Sequence, residues 1–215
     1  MPEEFRRRLE QARSRVAAAR ADQDPHRLAQ ALRELANVER RPPFLYEAAL
    51  GTLTEAATLC RDLGQPLDEA WCIRHIGIIR EYQHRLDDAE KAYDEALAIY
   101  RGHAAANSLD YANTVRYPAV VKNRLGKREE AARLWQEAYD RYAQVGPGGQ
   151  PEGLAEAAVW LATFAIEADR RDLAQQWLQR ATEAAVASAD PETHIFVASV
   201  AARLQSRNGD PSSPE

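Results

Sequence analysis

The sequence predicts an all-α fold, a solenoid of about four helix pairs with a capping helix at each end. Three observations predict it. Alanine is very frequent while Val, Ile and Phe are few, and Gly and Pro are scarce at 10 and 11 of 215 residues. That balance suits helices that touch closely. A pattern of small residues recurs about every 42 positions. Polar, Gly- or Pro-containing breaks fall between the helical patterns.

The recurrence is clearest in Ala89, Tyr93 and Ala96, spaced A-x3-aromatic-x2-A. The spacing returns 42 residues later as Ala131, Trp135 and Ala138, and 43 after that as Ala174, Leu178 and Ala181. Ala49, Leu53 and Ala56 precede it by 40. The helix before each runs in step: Ala70 and Gly77, then Ala112 and Ala119, then Ala155 and Ala162. Self-similarity on this scale marks a solenoid, in which each hairpin buries its apolar stripe only by stacking on the next. Small residues belong where helix axes cross closely.

The elements follow in order. Residues 3–21 carry one stripe, Phe5, Leu9, Ala12 and Val16, with arginines elsewhere. One apolar face and one wet face suit a terminal cap. The break Asp22–Pro25 leads to a helix at 26–40, and Arg41-Pro42-Pro43 to one at 43–63. Gly64-Gln65-Pro66 opens 66–83, paired with 86–101. After Gly102–Asn107 come 108–124 and 127–145. The break from Gly146 to Pro151 precedes 151–168 and 170–189. Asp190-Pro191 opens 192–207, where Ile195, Phe196, Val200 and Leu204 are expected to close the far end. An eighteen-residue helix is about 27 Å long. Pro118, inside 108–124, is expected to kink that helix, since it removes a bond to Thr114 and crowds the preceding turn. The organisation expected is one domain over 1–207: a cap at 1–21, repeats over 26–190, a cap at 192–207. A polar tail, 208–215, is expected to be disordered.

The pattern resembles the tetratricopeptide repeat. The family's second-helix signature, A-x3-F/Y-x2-A, stands as Ala89-Tyr93-Ala96, and its first-helix small residue as Gly77. Arg80 occupies the place of the aromatic favoured three residues later. The period exceeds the usual one of about 34, so the chain is similar to the long-repeat, kinesin-light-chain-like variety found in bacteria. The resemblance implies a right-handed superhelix of helix pairs whose first helices line a concave groove, used to hold another protein.

On 66–83 the inner stripe is then Trp71, Arg74, His75, Ile78, Glu81 and Tyr82, spaced as one helical face. The matching sets include Asn113, Arg116, Tyr117 and Asn123, and then Glu156, Trp160 and Thr163. Trp, Tyr and Arg are enriched in binding hot spots, and Arg grips carboxylates through paired hydrogen bonds. The partner-binding candidates are therefore Trp71, Arg74, His75, Arg116, Tyr117, Asn123 and Trp160. The bland alternative is that the aromatics pack between helices and the arginines stay hydrated. Ile78 and Val120 stand where the asparagine of a peptide-C-terminus clamp would be, which argues against that clamp.

Catalytic signals are absent: there is no Gly-rich phosphate loop and no G-x-S-x-G. Cys72 and His75 share a helix face, but zinc sites recruit paired close spacings, so both read as structural. No enzyme activity, cofactor or metal is expected. Net charge of −5 and pI near 5.6 argue against a nucleic-acid coat. The arginines of 1–20 are interleaved with Glu3, Glu4 and Glu10, as on a solvated face. No apolar run suits a signal peptide or a membrane span, and Cys60 and Cys72 do not suggest a disulfide framework. The expectation is a cytoplasmic, non-enzymatic scaffold that binds a peptide or protein segment. The alternative is a structural homo-oligomer or homodimer formed through terminal helices or the convex face.

Overall fold

A computed structural model describes residues 2–105, 108–146 and 150–208. These residues form ten α-helices and one 3-10 turn, with no strand among them. The helices are α1 (Glu3–Ala21), α2 (Pro25–Glu39), α3 (Tyr46–Asp62), α4 (Pro66–Tyr82) and α5 (Leu86–His103). Then follow α6 (Leu109–Arg124), α7 (Arg128–Val145), α8 (Pro151–Glu167), α9 (Arg171–Val186) and α10 (Pro191–Asn208). The expected helices are all present. The chief boundary difference is at Pro43–Leu45, a 3-10 turn before α3, where consecutive prolines withhold the amides an α-helical turn needs. The expected tail lies outside the described residues except for Asn208, which ends α10, and parts of the breaks at 102–107 and 146–151 also lie outside them.

The helices group into two compact units, Met1–Ala104 and Ala105–Glu215. In the first, α1 through α5 pack each on the next. In the second, α6, α7, α8 and α9 do the same, and α10 lies on α8 and α9.

The small-residue ladder is where the helices meet. All eight second-helix alanines, from Ala49 and Ala56 to Ala174 and Ala181, are completely buried. So are Ala70, Ala112, Ala119, Ala155 and Ala162 on the first helices. Ala29 and Ala36 extend the series into α2. Gly77 shows why size matters: a Cβ there would sit 2.5 Å from Cε1 of Tyr93 on α5. Tyr93 is itself completely buried and donates its hydroxyl to Glu81, 2.9 Å away.

The turns repeat with the ladder. His84, Gly126 and Asp169, 42 and 43 residues apart, each end a first helix with positive φ. The next amide then reaches back five residues: Arg85 to Arg80, Lys127 to Lys122 and Arg170 to Ala165, at 2.9, 2.9 and 2.8 Å. This is the Schellman closure, which satisfies orphan carbonyls at a helix end. Gln23 and Gly64 do the same where α1 turns into α2 and α3 into α4.

Two expectations at α6 and α10 change form. α6 runs unbroken from Leu109 to Arg124 with Pro118 buried inside it. On α10, Ile195 is 68% exposed, so it closes nothing. Val197 takes its place, in a buried stripe with Val200 and Leu204. Asp190 caps α10 by accepting from the Glu192 and Thr193 amides and the Thr193 hydroxyl, and this rotates the 193–197–200–204 row inward.

Candidate functional site

In the first unit, α2 and α4 are both first helices of a hairpin, and a cleft of about 760 Å³ opens on them. Gln30, Arg33 and Asn37 line it from α2, and Asp68 and Trp71 from α4. Gln65, in the turn before α4, adds a side-chain amide 3.2 Å from His26 Nδ1. Arg33 is the hub. Its Nη1 lies 2.6 Å from Asp68 Oδ1, its guanidinium sits 4.9 Å over the Trp71 ring, and its Nε has no hydrogen-bond partner. A fixed cation over an indole face is a favourable, partly desolvated pairing. It leaves an aromatic edge, amide groups and carboxylate oxygens for a ligand.

The α2 residues were legible by register. Gln30, Arg33, Glu34 and Asn37 stand 41 residues before Trp71, Arg74, His75 and Ile78. The Ala29–Ala36 pair, spaced like Ala70–Gly77, is the signal that places them. The position filled by Ile78 on α4 thus holds an asparagine on α2.

Of the sequence candidates in this unit, only Trp71 reaches the cleft. Arg74 and His75 are buried, at 5% and 6% exposure. The Arg74 guanidinium lies 5.8 Å from the Tyr100 ring centre. His75 Nδ1–H donates to the Trp71 carbonyl at 2.7 Å, and the imidazole tilts against the Trp71 ring with centroids 3.8 Å apart. Burial, reinforced by the Arg74 charge, pushes the His75 pKa down to about 3, so the ring is neutral. The physical reason for this depth is that α4 is flanked by both α3 and α5, so it exposes a narrower face than an amphipathic helix would.

In the second unit the first helices are α6 and α8. Arg116 Nε donates to Glu156 Oε2 at 2.6 Å, joining the two, and its guanidinium lies 5.3 Å over the Tyr117 ring. Burial opposes the charge on Arg116. Glu156, through charge and hydrogen bond, outweighs it, and the pKa ends above the ordinary arginine value. Asn123 accepts from Arg128 Nη1 at 3.0 Å. Half-buried Trp160 stacks on Trp135 at 5.9 Å and meets the edge of Phe196 at 6.1 Å. A second cleft, of about 540 Å³, lies beside these groups and is lined by Arg116, Glu152, Glu156, Glu192, Thr193 and Phe196. Three of those six are acids. Among the described residues, no group of three or more His, Cys, Asp or Glu is placed to hold a metal ion, and no helix is long and apolar enough to cross a membrane.

No family model matches the sequence, and no curated protein matches it. Solved structures do. BtubC (BKLC) from P. vanneervenii superposes with a TM-score of 0.74 at 20% identity, covering 100% of this chain and 96% of that one. TPR-like repeats of a Podosopora anserina protein of kinesin light chain type superpose at 0.57 and 13% identity, covering 88% and 99%. The fold is a tetratricopeptide-type helical repeat. A Rap protein complexed with Competence and Sporulation Factor shares this tetratricopeptide-type fold at a TM-score of 0.57 and 16% identity, over 93% of this chain and 59% of that one. At these identities the likeness speaks for the arrangement of helices and leaves the side chains of the clefts to be read on their own terms.

Proposed function

We propose that the chain is a non-enzymatic protein-interaction module that binds a peptide or protein segment on the inner faces of its first helices. The observation that carries this reading is the α2–α4 cleft, which combines an aromatic anchor, Trp71, with side-chain amides at Gln30, Asn37 and Gln65. An extended segment presents both apolar side chains and backbone amides, and such a surface meets both needs. The Rap protein, solved with its factor bound, supports the reading by example. In the second unit Tyr117, Asn123 and Trp160 retain partial exposure and supply the corresponding contacts. Arg74, His75 and Arg116 act from beneath, by holding Trp71, Tyr117 and Glu156 in place.

The test is a pull-down from the source cell with wild type and with Trp71→Ala and Tyr117→Ala, each checked for native helical content. The expected result is one or more partners held by the wild type and lost with a variant. Identical partner lists would count against the inner faces. The homo-oligomer remains a second reading, favoured by Val186 and Ile195, which are 78% and 68% exposed near the end of the chain. Light scattering at high concentration separates the two: a strict monomer removes the second.

A further inference from the structure

We propose that Cys60 and Cys72 form a buried dithiol redox site, which a low-molecular-weight disulfide converts to a single intramolecular disulfide joining α3 to α4. These are the only two cysteines in the sequence. Both are free and completely buried. They come from consecutive helices that pack together, and their thiols are hydrogen-bonded to each other. Two thiols already in contact need a small closing movement to reach the sulfur–sulfur bond length of about 2.05 Å.

The pair is polarised. Cys72 donates its S–H, and this bond favours the Cys60 thiolate while it holds the Cys72 proton in place. Arg33 also favours the thiolate, while Asp68 and Glu69 oppose it. Arg33 and Asp68 line the α2–α4 cleft, and Trp71 adjoins Cys72 in sequence, so the dithiol lies against the groups that shape that cleft.

The chemistry is two successive exchanges. The Cys60 thiolate attacks one sulfur of the reagent, the reagent's S–S bond breaks, and one small thiolate leaves. Cys72 then gives up its proton and attacks Cys60 Sγ, expelling the second small thiolate. The protein loses two electrons and two protons, and the reagent gains both electrons and is released as two thiols. Complete burial makes a local opening of the α3–α4 packing the slow step.

The experiment uses the full chain with oxidised glutathione, both in the native state and during refolding from urea. Intact mass, thiol titration and thermal unfolding are the readouts. Expected are a mass lower by two hydrogen atoms, loss of both thiols, no lasting glutathione adduct, native helical content and a Tm higher by about 5 °C. Dithiothreitol reverses all of these. Cys72→Ser, which has no resolving thiol, accumulates a glutathione adduct on Cys60. Refolding in oxidant removes burial as a barrier, so wild type that keeps both thiols there overturns the proposal. Covalent dimers, a lasting adduct on the wild type, or an oxidised form with lower Tm overturn it equally.

Discussion

Gly77 is the tightest point in the ladder, and two effects compete there. Alanine would favour the helix by up to about 1 kcal/mol, but its methyl would press on the buried Tyr93 ring, and overpacking costs about 1–3 kcal/mol. Tyr93 is pinned by Glu81, so the crowding wins. Gly77→Ala is expected to lower stability by about 1–2 kcal/mol in urea unfolding. Gly77→Ala combined with Tyr93→Leu should lose less than the sum of the two single changes. His75 gives a second residue-scale prediction. Its native pKa is depressed to about 3, against about 6.5 unfolded. Unfolding therefore takes up a proton below the unfolded value. The stability held by the neutral ring is complete above about pH 6.5 and is lost as pH falls toward 3, at up to about 1.4 kcal/mol per pH unit. Relative to wild type, His75→Gln should show a flatter loss of stability between pH 6 and 4.

The turns that end α4, α6 and α8 use the same left-handed residue position for three different side chains. Glycine at Gly126 adopts it freely, whereas His84 and Asp169 hold it against the steric cost of a Cβ. His84→Gly is expected to raise stability by about 0.5–1 kcal/mol, and Gly126→Ala to lower it by about 1 kcal/mol, measured by urea denaturation. At the next level up, Arg116 and Glu156 tie α6 to α8 while both remain partly exposed. Removing one partner strands the other, so Arg116→Met should cost about 1–2 kcal/mol, and Arg116→Met/Glu156→Met should recover part of that loss.

Across the whole molecule the repeat makes positions equivalent that lie far apart in sequence. Ala56, Ala96, Ala138 and Ala181 are all completely buried. Each Ala→Val change should cost about 1–3 kcal/mol, whereas Ala98→Val, on the exposed face of α5, should cost under about 1 kcal/mol. A wide spread among the four would mean that the ladder is not one structural device. The two units carry different clefts on their first helices. The first is an amide- and indole-lined cleft, and the second is rich in acids.

The repeat period, the helices, their turns and the buried alanines were all readable from the amino-acid order, because each depends on residues within one hairpin and on side-chain size. The inner-face candidates were placed on the right helices, yet their depth was not readable. Helical spacing assigns a residue to a face, but only the neighbours on either flank decide how much of that face stays wet, and α3 and α5 leave Arg74 and His75 buried. Charge partnership was decided the same way: Arg116 meets Glu156 and Arg33 meets Asp68 across gaps of 40 and 35 residues. The thiol contact of Cys60 with Cys72 likewise depends on how α3 rotates against α4. Short-range sterics and size are written along the chain, whereas desolvation and electrostatic pairing depend on which helices close over a side chain, and folding alone brings those together.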